Sequence, residues 1–297
     1  MSNSTEQKVA VITGCSSGVG LATAVELAKA GYRVVATMRN LAKREALDAA
    51  AQAAGVVLGT GFGVRVLDVE SDDSVKACFE GIHQDFGQVD LLINNAGHGY
   101  VRPLEQTPVA DWHTLMNTHV YGAVRCIQAV LPGMRERKSG HLVTVTSVGG
   151  QVGFPMNEAY CAAKFALEGA MESLATYLPL YFGIHVSVVE PAGIKTEFVK
   201  RVMSDLAKDQ AQDMGVYNPV LGDYMKTVRG RSEVTATAQT PEQVAQSIAQ
   251  LVALPQPPLR WQTSDFVREF TGIKLGTDPT GAQQLAKQRS MSLGKSD

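Results

Sequence analysis

Ser147, Tyr160 and Lys164 are the residues whose types and spacing carry chemistry. Tyr160 and Lys164 stand four apart, which on a helix puts both on one face. A free phenol has a pKa of about 10, too high to accept a proton readily near neutrality, but a neighbouring ammonium favours the phenolate. Lowering that pKa by about three units corresponds to ~4 kcal/mol of differential interaction. Ser147 precedes Tyr160 by thirteen residues and follows a β-branched run. Singly, a helix tyrosine packs, a lysine is solvated and a serine after a strand caps. A second constellation is Thr13-Gly14-Cys15-Ser16-Ser17-Gly18-Val19-Gly20, between an apolar run and the amphipathic segment Leu21 to Ala30. Strand, glycine turn and helix start, in that order, form an anion site: the backbone approaches a pyrophosphate and free amides point at it. Glycines at this spacing also make a merely tight turn, and a second cluster, Gly59-Thr60-Gly61-Phe62-Gly63, precedes a strand and reads as loop.

The elements that must position these residues follow from periodicity. Strands are predicted at 9–13, 32–37, 63–67, 90–93, 141–146 and 185–189, and helices near 18–31, 41–53, 72–86, 108–137 and 158–181. This alternation demands crossover connections, hence an α/β fold with a Rossmann-type, doubly wound parallel sheet covered on both faces. Ligands in such sheets bind beyond the carboxyl ends of the strands, where the residues above fall. Residues 1–297 read as one catalytic domain, with a polar N-terminal tail at 1–7 and a helical substrate flap at 197–232. A helix at about 241–253 follows. Pro255-Gln-Pro-Pro258 then breaks the chain, Leu259 to Gln262 is a seventh-strand candidate, and 263–297 is a polar C-terminal tail with one or two short helices.

The Thr13 to Gly20 segment resembles the T-G-x-x-x-G-x-G of the short-chain dehydrogenase/reductase family, and the likeness runs along the sheet. Asn94-Asn95-Ala96-Gly97 is similar to the family's N-N-A-G, which lines the adenosine side, and Asp68-Val69 resembles its adenine-contacting D-V. Pro191-Ala192-Gly193-Ile194-Lys195-Thr196 resembles its P-G segment, which holds the carboxamide of nicotinamide. The family pattern implies hydride exchange with NAD(P)(H), helped by the positive nicotinamide ring that favours phenolate. Tyr160 then donates or accepts the proton, Ser147 bonds the substrate oxygen, and Lys164 tunes the tyrosine and binds the ribose. At the end of the second strand Met38 replaces the aspartate of NAD-specific members, and Arg39 follows, able to grip a 2′-phosphate. The expectation is a preference for NADP(H), with NAD(H) a possible substitute; an exposed surface role for Arg39 would leave the preference weak.

One position departs from the family pattern. Where it places a catalytic asparagine, three residues before a glycine, this chain has His119 in Asn117-Thr118-His119-Val120-Tyr121-Gly122. Asn117 would point some 200° around a regular helix from His119, at about 100° per residue, and is a poor substitute unless the helix is distorted. Either His119 joins a proton relay from solvent to Lys164, or it packs and water supplies the relay. Cys161, beside the tyrosine, has no flanking base and reads as packing.

Over residues 8–200 the likeness is to the branch of oestradiol 17β-dehydrogenase and retinol dehydrogenases, carried by Ser147 to Gly169. It implies an apolar secondary alcohol or ketone, or an aldehyde/alcohol pair, as in steroid- or retinoid-like molecules. Candidate substrate contacts are His98, Tyr100, Val148, Gly149, Phe154, Met156 and Phe198, each equally at home in a packed core. The family also implies a homodimer or homotetramer through the helices at 108–137 and 158–181.

Lys and Arg total 27 against 29 Asp and Glu, which gives no electrostatic reason to bind nucleic acid or an anionic membrane. The most apolar stretch, Leu174 to Ile194, is broken by Pro179, Gly183, His185, Glu190 and Pro191, so no membrane span is expected. Met1 to Lys8 lacks the apolar core of a secretory signal. Cys15, Cys78, Cys126 and Cys161 lack disulfide-framework or zinc spacing, which suits a reducing cytoplasm and a site without metal. Three other readings remain open: an NADP(H)-binding sensor, a dinucleotide-dependent epimerase or dehydratase sharing the Tyr-x-x-x-Lys pair, and an interaction protein on the same fold.

Overall fold

The computed structural model describes residues 7–56, 59, 61–194, 214–224, 226 and 238–293. Seven strands form one parallel sheet: β1 (Val9–Ile12), β2 (Arg33–Met38), β3 (Phe62–Val66), β4 (Leu91–Asn94), β5 (Gly140–Val145), β6 (Ile184–Glu190) and β7 (Arg260–Gln262), in the order β3-β2-β1-β4-β5-β6-β7. Every pairing is parallel, so each connection crosses over. Among the described residues the helices include α1 (Gly18–Lys29), α2 (Glu45–Ala53), α3 (Asp72–Phe86), α4 (Val109–Met116), α5 (Gly122–Arg137), α6 (Glu158–Phe182), α7 (Pro241–Ala253), α8 (Asp265–Leu275) and α9 (Ala282–Leu293).

Alternation along the strands builds two cores. Val9, Val11, Val35, Leu92, Leu142, Val186 and Val188 face α3, α5 and α6, where Phe79, Ile82, Val130, Met134, Met171 and Leu178 meet them. Ala10, Ile12, Val34, Ala36, Ile93 and Val143 face the other way, onto Leu27, Leu47, Val244, Ile248 and Leu251 of α1, α2 and α7. Both faces are thus dry, which the sequence displays as near-continuous apolar strands.

Local signals explain the boundaries. Ser71 caps α3 by accepting from the Ser74 amide at 3.2 Å, and Gly87, with φ of 73°, ends it. Thr240 and Gln243 close a capping box before α7. Predicted and observed edges differ by a residue or two, except that a 3₁₀ turn, Leu41–Lys43, replaces the first turn predicted for α2. The helix expected at 108–137 is broken between α4 and α5 by a π-helical turn, Asn117–Tyr121. The seventh-strand candidate forms β7, which the structure sets beside β6. In the region read as a polar tail, α8 buries Val267 and Thr271 and α9 buries Leu285. Of the predicted flap, only 214–224 and 226 are described, and residues 1–6 of the N-terminal tail lie outside the described residues.

Candidate active site

The strand order reverses between β1 and β4, and the loops leaving these strands interlock. Thr13 Oγ1 accepts from the amides of Asn95 and Ala96, at 2.9 and 3.0 Å, while Asn95 Nδ2 donates to the carbonyls of Thr13 and Gly14, at 2.9 and 3.3 Å. Gly14, at φ of 74°, lies so close to this loop that a Cβ on it would fall 2.9 Å from Ala96 Cα. A Cβ on Gly20 would meet Asn95 Nδ2 at 2.4 Å and the Gly14 carbonyl at 2.5 Å, so Gly20 is a packing glycine behind the turn. Ser17, at the N-cap of α1, makes no side-chain cap, leaving the first amides of the helix facing the crevice.

A cavity of about 650 Å³ opens there. It brings together Gly14, Ser16, Ser17, Gly18, Val19, Arg39, Ala96, Gly97, His98, His119, Ser147, Tyr160, Lys164, Pro191, Gly193 and Ile194, sixteen residues picked from sequence. Others lie elsewhere. Asp68 sits in the turn after β3, accepting from the Glu70 amide at 3.1 Å, and its neighbours Leu67 and Val69 line the cavity in its place. Asn94 is buried in the sheet, its Nδ2 3.4 Å from Thr144 Oγ1. Tyr100 donates to Asp111 at 2.7 Å, and burial and this carboxylate push its phenol up to about 12. Val148 and Phe154 pack with Ala192, Val267 and Phe270, and Met156 packs with Met214 and Leu221, next to the cavity but not on its wall. Gly149 lies under Tyr160, where a Cβ would come 3.3 Å from the ring. Thr196 and Phe198 lie outside the described residues.

Sequence reasoning missed Lys43 and Glu70, both on the cavity wall beside Arg39. A second cation four residues after Arg39, in the 3₁₀ turn that follows the same strand, was the available signal for Lys43. The Arg39 guanidinium stands 3.6 Å from Glu70, whose other contact is the Thr118 hydroxyl at 2.7 Å.

At the opposite end, Ser147 Oγ accepts from the Gly149 amide at 3.0 Å and shares a hydrogen bond with Tyr160. Lys164 Nζ donates to the Val145 carbonyl at 3.0 Å and lies 5.7 Å from the centroid of the Tyr160 ring. The sequence argument expects the ammonium to lower the phenol pKa. Burial acts against it: it pushes Tyr160 up to about 12 despite the bond from Ser147, and pushes Lys164 down to about 8.

The π-helical turn carries His119 inward. Its Nε2 lies 2.9 Å from the His98 carbonyl, and Nδ1 is buried without a hydrogen-bond partner. Burial, then the Lys164 and His98 charges, hold the imidazole well below its ordinary pKa, so it is neutral. Asn117, despite the distortion of the helix, turns away and accepts from Arg125 at 3.0 Å. Behind His119 a cavity of about 10 Å³, the size of one water, is lined by His119, Lys164 and Asn94, whose Oδ1 is likewise buried and unpartnered.

Comparison with known proteins agrees with this geometry. The family model of short chain dehydrogenases matches residues 8–207. The chain is 42% identical over 273 residues to retinol dehydrogenase 8 of Homo sapiens, covering 90% of this chain and 85% of that one. It is 36% identical over 280 residues to 17-beta-hydroxysteroid dehydrogenase type 1 of Homo sapiens, covering 93% and 83%. Among solved structures, a short-chain dehydrogenase from Streptomyces avermitilis superposes with a TM-score of 0.73 at 28% identity, over 99% of this chain and all of that one. A variant actinorhodin polyketide ketoreductase with NADPH gives 0.72 at 26% identity, over 86% and 94%. Among the described residues no helix is long and apolar enough to cross a membrane. The glycine cradle, the Ser147, Tyr160 and Lys164 cluster and these likenesses agree: the chain is an oxidoreductase of the short-chain dehydrogenase family.

Proposed function

We propose that the protein interconverts an apolar secondary alcohol and its ketone, or an alcohol and an aldehyde, with NADP(H) as cofactor and Tyr160 as general acid and base. The observation that carries this reading is that Ser147, Tyr160, Lys164 and His119 meet in the same crevice as the glycine cradle. The cradle fits a dinucleotide: the space a Cβ would take at Gly14 is closed by Ala96, and uncapped α1 amides face the cavity. Arg39 and Lys43, both on the cavity wall, would hold a 2′-phosphate, and Gly193 and Ile194 a nicotinamide. Bound NADP(H) supplies or accepts the hydride.

The chain's own residues handle the proton. A phenol held near 12 keeps its proton at neutral pH and suits donation to a developing alkoxide, the direction of carbonyl reduction. Oxidation requires the phenolate, favoured by the positive charges that a bound oxidised ring and Lys164 bring to Tyr160. Ser147, with Gly149 donating to its oxygen, keeps its own hydrogen for the substrate oxygen or for Tyr160. His119, neutral and with Nδ1 unpartnered, is suited to pass protons to Lys164 through the small cavity between them. Steroid- or retinoid-like substrates are supported by the names of the relatives and by the apolar clusters around Met156 and Phe154. A homodimer or homotetramer is supported by the exposure of Tyr121 and Phe165 on the helices expected to pair, and sedimentation would read its size.

The test follows nicotinamide absorbance with NADPH and then NADH against steroid, retinoid and aryl carbonyls, with Tyr160→Phe as control. Turnover that favours NADPH and falls about 10²–10⁴-fold in the variant is expected. Tight NADPH binding without any turnover would overturn the catalytic reading in favour of a sensor.

A further inference from the structure

Behind the site lies a buried charge cluster that hydride transfer does not use. Glu190, fully buried, ends β6 one residue before Pro191, and Glu168, 6% exposed, stands one helical turn after Lys164. Both face Arg260 of β7, whose Nε lies 3.8 Å from Glu168 Oε2 and 3.8 Å from Glu190 Oε1. The guanidinium spends its terminal nitrogen on Glu172, which is half solvated. Glu190 accepts from Gln151 Nε2 at 3.1 Å and from Gln262 Nε2 at 2.7 Å. Glu168 Oε1 shares a hydrogen bond with the Thr146 hydroxyl, which also lies 3.2 Å from the Val189 carbonyl, while Oε2 is buried with no hydrogen-bond partner, as is Arg260 Nε.

The charges around this cluster do not balance as carboxylates. From β5, Thr146 brings no charge; α6 brings Lys164, committed to the Val145 carbonyl, and Glu172. Glu190 and Arg260 come from β6 and β7, and Lys274 of α8 donates to the Gln151 carbonyl. Two fully desolvated carboxylates thus share one guanidinium already engaged by a third, and a second buried negative charge is costly. Each member also adjoins the site: Thr146 precedes Ser147, Glu190 precedes Pro191, and Gln151 closes the turn whose Gly149 amide holds Ser147.

We propose that Glu168 is a positioning residue: with Glu190 and Arg260 it forms a carboxyl pair that keeps one proton and so locks the Ser147, Pro191 and Lys164 segments in register. Burial first, and Glu190 second, hold the Glu168 carboxyl up to about 8, and Glu190 is raised as well. Thr146 Oγ1 bonds both Glu168 Oε1 and the Val189 carbonyl but carries one hydrogen, so the proton belongs on Oε1, donating to Thr146 while Thr146 donates onward to Val189. Loss of the Glu168 proton at alkaline pH puts a full charge one turn from Lys164, tightening that ammonium's hold on its proton, and drives the two carboxylates apart. Arg260 gives the C-terminal strand a part in the site, since its guanidinium faces both carboxylates.

The catalytic half of this inference rests on the proposed function; the shared proton does not. Two readouts separate them. Thermal midpoints against pH, on the full chain, read the proton: a carboxyl whose folded pKa is raised stabilises the fold fully below the unfolded value, about 4.3, and that contribution is lost as pH rises through about 8. Glu168→Gln, a permanent mimic of the acid form, should flatten this part of the curve. Activity reads the positioning. Glu168→Gln should keep kcat within about threefold at neutral pH and move the alkaline limb of the profile, whereas Glu168→Leu should lower kcat roughly ten- to hundredfold with little change in KM. Thr146→Val, which removes the hydroxyl that joins Glu168 to the Val189 carbonyl and leaves the carboxyl in place, should act in the same direction should the leucine variant fold poorly. Identical midpoint curves for wild type and Glu168→Gln would overturn the shared proton whether or not the protein turns over. Wild-type kcat in both Glu168→Leu and Thr146→Val would overturn the positioning role. Absence of turnover in the wild type, with the midpoint difference intact, would instead overturn the proposed reaction and leave the shared proton standing.

Discussion

The His119 ring stands edge-on to the Tyr160 ring, 5.7 Å between centroids and 86° between planes. This places a neutral imidazole against the phenol proposed as general acid and base, at the position the family pattern gives to asparagine. His119→Ala should lower kcat by at least about tenfold and distort the pH–rate profile, and His119→Asn should restore much of it. Unchanged kcat and profile in both variants would reduce His119 to packing.

Gly97 faces the same ring. A Cβ there would lie 2.4 Å from His119 Cε1 and 2.6 Å from Nδ1, and His119 is 2% exposed, so the ring has nowhere to go. Gly97→Ala should cost about 1–3 kcal/mol of stability, measured by denaturant unfolding. Adding His119→Ala should recover most of it; additive losses in the double variant would contradict this packing.

Arg39, paired only loosely with Glu70, has Lys43 beside it on the cavity wall. Charge-assisted hydrogen bonds to a phosphate are worth about 1.5–3 kcal/mol, so Arg39→Ala should raise KM for NADPH roughly ten- to hundredfold while leaving NADH nearly unaffected. Lys43→Ala should act in the same sense and more weakly. Equal losses for the two nucleotides would remove the 2′-phosphate from this account.

At the far end of the sheet His141 is buried, its Nε2 3.0 Å from Ser187 Oγ, which itself donates to the Pro258 carbonyl at 2.7 Å. Burial, followed by His185 and Lys8, takes this imidazole down to about 3. A folded pKa below the unfolded one means that the neutral ring stabilises the protein above about pH 6.5 and that this contribution is lost as pH falls toward 3. The thermal midpoint should decline across that window, and His141→Gln should decline less steeply; parallel slopes would sink the assignment.

Legibility in the sequence followed locality. The glycine cradle, Ser147, Tyr160 and Lys164 depend on short spacings, and strand edges came within a residue or two because both faces of the sheet are apolar. The π-helical turn left no trace, since a single inserted residue has no composition of its own, and only the structure shows that Asn117 turns toward Arg125 while His119 enters the site. Lys43 and Glu70 reach the cavity through the folding together of two loops, and Glu168, Glu190 and Arg260 come from three distant elements, so spacing could not join them. The phenol shows a similar limit: a motif names the ammonium beside Tyr160 but not the burial that raises its pKa.

The reversal of strand order between β1 and β4 divides the labour of the molecule. Arg39 and Lys43 descend from β2 on one flank, while Ser147, Tyr160, Lys164 and the Gly193 turn belong to β5, α6 and β6 on the other. On the proposed function, the groups that would choose the electron carrier and those that would act on the substrate are therefore written in separate stretches of chain, so descendants of this protein would switch metabolic pools by changing a handful of codons after β2 while inheriting the chemistry intact.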